Sequence, residues 1–143
     1  MKAWQHQVQY YETDKMGVTH HSNYIRFMEE ARVAFLKALG WGYDEMEAQG
    51  IVSPVVNISC NYKRSTTFTE LIEIFVHVFG LSPSRVKFGY VMTVGKQIVC
   101  TAESTHCFLG PGGKPVNVKR LYPDFYASLE GVKEIPALGE GNI

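Results

Sequence analysis

The chain lacks an excess of either charge: 14 Lys and Arg residues stand against 14 Asp and Glu in 143 residues. Without a basic surplus there is no electrostatic ground for a nucleic-acid partner. A local basic cluster remains compatible with a phosphorylated small molecule, because net charge says nothing about patches. Cysteine is scarce as well. Cys60, Cys100 and Cys107 are odd in number, sit in apolar strand-like runs and show no C-x-x-C spacing. That argues against a zinc ribbon or a dithiol motif and leaves buried, reduced thiols as the expectation. The opening MKAWQHQVQ has no apolar signal core, and no run approaches the ~20 apolar residues of a membrane span. A cytoplasmic protein is the resulting expectation. No G-x-S-x-G elbow is present, which disfavours an α/β-hydrolase. The GPGGKP run from Gly110 to Pro115 lacks the trailing Lys-Ser/Thr of a phosphate-binding loop and reads as a turn. Repeats, linkers and low-complexity segments are also missing.

What remains is a composition that is 45% hydrophobic and 20% charged, that of one globular domain large enough to bury a core. The expected unit is 1–143, with its core at about 4–130 and a loose C-terminal tail. Residues 5–12 alternate as a first strand, with Val8 and Tyr10 on one face and Gln7, Gln9 and Tyr11 on the other. Ser22 is placed to cap a helix reaching about Leu39, and Gly40 to end it. Its apolar positions Tyr24, Phe27, Met28, Ala31, Ala34, Phe35 and Ala38 recur at helical spacing, with Arg26, Glu29, Arg32 and Lys37 opposite. A short helical turn is read at 43–49. Strands follow at 52–63, 71–81, 85–94 and 97–109, joined by hairpins at 82–84 and 95–96. A sheet-edge extension at 115–118 and a short helix at 123–129 complete the pattern. One long helix followed by meandering strands makes an α+β domain whose antiparallel sheet wraps the helix.

The chemistry concentrates in YYETDKMGVTHHSNY, residues 10–24. Asp14 precedes Gly17 by three residues, and His20 and His21 stand just ahead of the long helix. A carboxylate beside a helix N-terminus faces unpaired N–H groups and the positive end of the helix dipole. Such a pairing suits hydrolysis of an activated acyl group: the acid attacks or activates water, and the donors hold the oxyanion. The competing reading of Asp14 is a helix cap or an Asx-turn. Adjacent histidines without an acidic or histidine partner at i+3 or i+4 do not make a metal site.

The run resembles the active-site segment of the hotdog-fold acyl-CoA thioesterases, in particular the 4-hydroxybenzoyl-CoA thioesterase branch, with a pattern Y-x-x-T-D-x-x-G-V-x-x-H-x-x-Y. Tyr10 or Tyr11, Thr13, Asp14, Gly17, Val18, His21 and Tyr24 fill it, and EEAR at 29–32 and NYKRSTTFTELIEI at 61–74 add to the likeness over about residues 4–130. The resemblance implies a hotdog fold and a homodimer or homotetramer with a continuous sheet. It makes Asp14 the catalytic acid, with backbone N–H groups around Val18 and His21 as oxyanion donors and Gly17 allowing close approach. The substrate would be an acyl-CoA or acyl-carrier-protein thioester. Neither a metal nor an organic cofactor is implied, coenzyme A being part of the substrate. His20 stands where relatives often carry tyrosine. Ser65 stands where they often have proline, and Thr69-Glu70 where they have Gly-Asp.

Lys63, Arg64, Arg85 and Lys87 are the cations expected to meet the coenzyme A phosphates, each equally readable as a solvated strand end. Asn23 and Tyr24 are candidates for the entrance, Tyr24 also for the core. Glu29 and Glu30 are rival acids on the helix, for which pairing of Glu29 with Arg32 is the favoured account. Phe27, Phe68, Phe88 and Tyr90 offer aromatic surface for an acyl pocket. Two other functions stay open: a non-catalytic acyl-CoA or acyl-carrier-protein binding module, and a dehydratase on the same fold.

Overall fold

A computed structural model describes residues 2–133 of the chain, so the expected C-terminal tail lies outside the described residues from 134 onward. Strand β1 (Trp4–Gln7) leads through a 3-10 turn at Tyr10–Glu12 to helix α1 (Asn23–Ala38) and the short α2 (Tyr43–Ala48). Strands β2 (Val55–Tyr62), β3 (Leu71–Ser82), β4 (Arg85–Val94) and β5 (Gln97–Cys107) follow, then a 3-10 turn at Pro111–Gly113 and helices α3 (Val118–Leu121) and α4 (Pro123–Gly131). The strands form one antiparallel sheet in the order β1-β3-β4-β5-β2. The hairpins at 82–84 and 95–96 join β3 to β4 and β4 to β5 as expected. This is the hotdog architecture: a sheet curled over one long helix.

The helix forms where its apolar spacing places it, because Phe27, Met28, Ala31 and Phe35 lie against Ile72, Ile74, Phe88, Tyr90 and Met92 of the sheet. Burying a large apolar side chain of this kind contributes ~1.5–3 kcal/mol. Gly40 ends the helix with φ +89°, a left-handed conformation that glycine adopts without a Cβ penalty. Among the described residues, no helix is long and apolar enough to cross a membrane.

Several sequence expectations change. The first strand stops at Gln7, and the alternation beyond it does not hold: Val8 is buried, whereas Tyr10 and Tyr11 are 75% and 79% exposed. A reciprocal bond pattern between Gln9 and Glu12 closes a turn there instead, and Glu12 goes inward. Ser22 does not cap α1. Its backbone is already helical, its side chain takes none of the helix N–H groups, and its hydroxyl meets His20 Nδ1 at 2.8 Å. Arg32 is not on the solvent face but 5% exposed. Its Nε donates to the Tyr43 hydroxyl (3.2 Å) and its Nη1 to that of Tyr90 (3.1 Å), and no ion pair with Glu29 forms among the described residues. Ala38 is exposed while Leu36 is buried. The edge extension at 115–118 reduces to a single bridge between Pro115 and Leu109, and Val118 opens α3. The thiols are free; Cys100 is buried, but Cys60 and Cys107 are only partly so.

Candidate active site

Asp14 sits on a tight loop between two short bridged segments. The Thr13–Thr19 bridge forms the stem, with the Asp14 N–H donating to the Val18 carbonyl (2.9 Å) and the His20 N–H to the Glu12 carbonyl (2.8 Å). Gly17 makes the reversal possible with φ +78°, and its N–H donates to the Asp14 carbonyl (2.9 Å). Open space surrounds the position where its Cβ would be. Asp14 itself is half-buried. Its Oδ1 accepts from the Met16 N–H (2.8 Å), an Asx-turn, while Oδ2 has no partner among the described residues. The cap-or-turn reading and the catalytic reading therefore use different oxygens of one carboxylate.

The loop is fastened to the helix start. Asn23, the first residue of α1, turns its amide back to donate to the Glu12 carbonyl (3.0 Å) and the His20 carbonyl (3.3 Å). On the other side Thr19 donates its N–H to the Thr66 carbonyl (2.8 Å), and the two threonine hydroxyls meet at 2.6 Å. The Tyr24 hydroxyl joins Thr66 Oγ1 at 2.9 Å, and burial raises its pKa. Asp14, Lys15, His20, Ser22 and Asn23 line one open depression of about 890 Å³, together with 10–13. A more enclosed apolar cavity of about 560 Å³, between Ala31 and Phe35 of α1 and Ile74 and Val76 of β3, includes none of the Asp14 loop.

The other candidates divide. His21 is exposed, its ring stacked on His20 at 4.3 Å, and its carbonyl accepts from the Tyr62 hydroxyl at 3.2 Å. The N–H groups of Val18 and His21 have no acceptor among the described residues. Tyr24 is 3% exposed and packs edge-on against Tyr62 at 5.1 Å, a core position. Lys63 and Arg64 stand at the same end of the sheet as Asp14, held by the Val99 carbonyl, and Arg64 pairs with Glu70 at 3.3 Å. Arg85 and Lys87 open β4 at the other end, about 26 Å and about 20 Å from Thr93 at a strand rise of ~3.3 Å per residue. Within one chain they do not share a site with Asp14. Of the aromatic candidates, Phe27, Phe88 and Tyr90 are closed inside the core; Phe68 is exposed and meets Tyr10 edge-on at 5.6 Å. Tyr10, Tyr11 and Met16 add exposed apolar surface beside Asp14.

A second polar cluster lies under the middle of α1, joining Arg32, expected on the polar face, and Tyr90, expected to line an acyl pocket, to Ser104 and His106. Tyr90 and Ser104 meet at 2.7 Å, Ser104 and His106 Nε2 at 2.8 Å, and His106 Nδ1 lies 3.4 Å from the Ser53 carbonyl. A carbonyl only accepts, so Nδ1 carries the proton and every bond in the chain runs from Arg32 toward Ser53. Burial, and then the Arg32 charge, lower His106 to about 4 and keep it neutral. Among the described residues no group of three or more His, Cys, Asp or Glu side chains is placed to hold a metal ion.

This arrangement of loop, helix start and sheet recurs in known proteins. A family model described as the thioesterase-like superfamily matches residues 8–129. The chain belongs to that superfamily. It is 32% identical over 130 residues to a Bacillus subtilis protein provisionally named an acyl-CoA thioesterase, YneP, covering 90% of this chain and 94% of that one. It resembles the solved DHNA-CoA thioesterase of Staphylococcus aureus with a TM-score of 0.86 at 32% identity, covering 92% and 89%. A 1,4-dihydroxy-2-naphthoyl-CoA hydrolase of Synechococcus elongatus is 25% identical over 108 residues, 74% of this chain and 79% of that one.

Proposed function

We propose that this superfamily member is a cytoplasmic acyl-CoA thioesterase of the 4-hydroxybenzoyl-CoA thioesterase-like branch, converting an acyl-CoA and water to a carboxylic acid and coenzyme A. The observation that carries the reading is the unpartnered Asp14 Oδ2 in one depression with Ser22 and Asn23 at the start of α1. Relatives named for thioester hydrolysis support it. Asp14 acts on the thioester carbonyl directly, forming an acyl–carboxylate anhydride as the C–S bond breaks and the thiolate leaves, after which water cleaves the anhydride to free the acid and Asp14; or it takes a proton from the water that attacks the thioester. The N–H groups of Val18 and His21 receive the negative charge on the carbonyl oxygen. A thiolate is a good leaving group, so these steps call on no strong general acid and no metal ion.

Of the four cations expected from the sequence, Lys63 is the best placed for the coenzyme A phosphates, since Arg64 is engaged by Glu70. The aryl-CoA names among the relatives make aryl-CoAs the first substrates to try. Asp14→Ala should lower kcat by about 10³-fold or more, with fold and coenzyme A binding retained. Wild-type turnover of every acyl-CoA by that variant would end the proposal. Tight acyl-CoA binding by the wild-type chain without turnover would favour a binding module instead.

A second copy completes the assembly in this reading. Among the described residues strand β2 is paired only with β5, and it exposes Val55, Val56 and Tyr62 at 44–47%. An eight-residue edge strand of this kind is an aggregation hazard unless another strand covers it. Light scattering on the purified chain should give a dimer or tetramer mass; a monomer at micromolar concentration would sink this part.

A further inference from the structure

Glu12 stands two residues before Asp14 and faces the opposite way. Its carboxylate is buried at 5% exposure, and each of its oxygens is spoken for. Oε1 accepts from the Gln9 N–H at 2.8 Å, and His6 Nε2 lies 2.9 Å from Oε1 and 3.1 Å from Oε2. The other ring nitrogen, Nδ1, lies 3.1 Å from Glu30 Oε1, which also accepts from the Trp4 indole at 3.0 Å. The imidazole lies tilted against Phe27 with ring centroids 4.2 Å apart. An ionised carboxylate only accepts, so a ring nitrogen that carries a proton donates to the carboxylate beside it.

A turn at Tyr10–Glu12 does not by itself need a buried carboxylate. Taking such a group out of water is costly unless it is fully bonded, and an apolar side chain pointing inward would close the same turn more cheaply. The bonded carboxylate does something an apolar contact does not: it fixes the rotation and height of the segment. Glu12 has its backbone bound as well, its carbonyl accepting from both the His20 N–H and the Asn23 amide. The strand β1, the middle of α1 and the stem of the Asp14 loop therefore meet at a single residue.

We propose that His6, clamped between Glu12 and Glu30, is a positioning residue that sets the Asp14 carboxylate for thioester hydrolysis through the segment 12–14. The inference rests on Asp14 being the reacting acid. Displacement of a reacting group by about 1 Å costs up to ~10²-fold in rate, so loosening this clamp shows in turnover before it shows in affinity.

The test measures acyl-CoA hydrolysis and thermal unfolding for His6→Ala, His6→Gln, Glu12→Gln and the pair His6→Ala/Glu12→Gln, with Asp14→Ala alongside. His6→Ala should lower kcat by about tenfold or more with KM within about threefold. His6→Gln, which keeps a donor, should recover part of the loss. The double variant should be no slower than the slower single one, because both changes break the same clamp. Wild-type kcat in His6→Ala, additive losses in the double variant, or histidine variants that fail to fold at all would each overturn the inference. Loss of turnover in Asp14→Ala with an unchanged His6→Ala overturns this inference alone. Full turnover in Asp14→Ala overturns the reaction centre itself.

Discussion

Helix α1 carries two polar clusters built on opposite plans. In the first, beside the Asp14 loop, an imidazole meets carboxylates: His6 stands between Glu12 and Glu30, and the cluster borders the open depression of Asp14. In the second one charge, Arg32, is met among the described residues only by hydroxyls, and hydrogen bonds pass through Tyr90 and Ser104 to a neutral His106. The first holds a loop in place through a carboxylate as buried as Arg32, with Glu30 on the far side of the imidazole partly open to water. A neutral relay suits the closed interior, where an additional charge would be expensive. The contrast implies that damage to the first cluster is read in turnover and damage to the second in stability.

Arg32→Ala should break that contrast most visibly. It strips donors from Tyr43 and Tyr90 and leaves a void, costing roughly 3 kcal/mol of stability, while kcat per folded molecule stays unchanged. Urea unfolding paired with active-site titration separates the two quantities; a fall in kcat with wild-type stability would erase the distinction.

Acid is a gentler probe of the same relay. His106 is lowered to about 4 in the folded chain, against about 6.5 when unfolded, so the unfolded state binds the extra proton between those values. Its contribution is complete above about pH 6.5 and is lost as pH falls toward 4, up to about 3 kcal/mol. Unfolding midpoints measured from pH 7 to 4.5 should decline accordingly, and His106→Gln should flatten the decline. An equally steep curve in that variant would remove His106 as its cause.

The smallest effect concerns the substrate's phosphates. Lys63→Ala should raise KM for acyl-CoA about two- to fivefold, as befits one exposed ionic contact, and Lys87→Ala should leave it alone. Equal effects from both would mean that a second copy carries far-end cations to the Asp14 end.

Much of this was legible in the chain itself. The spacing of Phe27, Met28, Ala31 and Phe35 announced the helix, and β4 matches its expected range of 85–94. Short-range patterns of that kind depend on side-chain periodicity alone. The strand expected at 5–12 failed because alternation does not reveal a turn closed by the Gln9 and Glu12 pair. Arg32 was read as solvent-facing because its partners Tyr43 and Tyr90 lie 11 and 58 residues away. Glu12 and His6 escaped notice for the same reason: a carboxylate in a strand-like run looks solvated until the helix brings Glu30 beside the histidine.

By itself the order of residues determined the elements, the wrapped α+β plan and the segment in which an acid, a glycine and a helix start fall close together. Those features follow from local periodicity and turn chemistry, which neighbouring residues dictate. Only the tertiary structure decided which side of Glu12 faces inward, which Asp14 oxygen stays open and which cations stand at its end of the sheet. Such choices belong to contacts between distant segments, where burial presses polar groups to find partners and no local pattern says which ones.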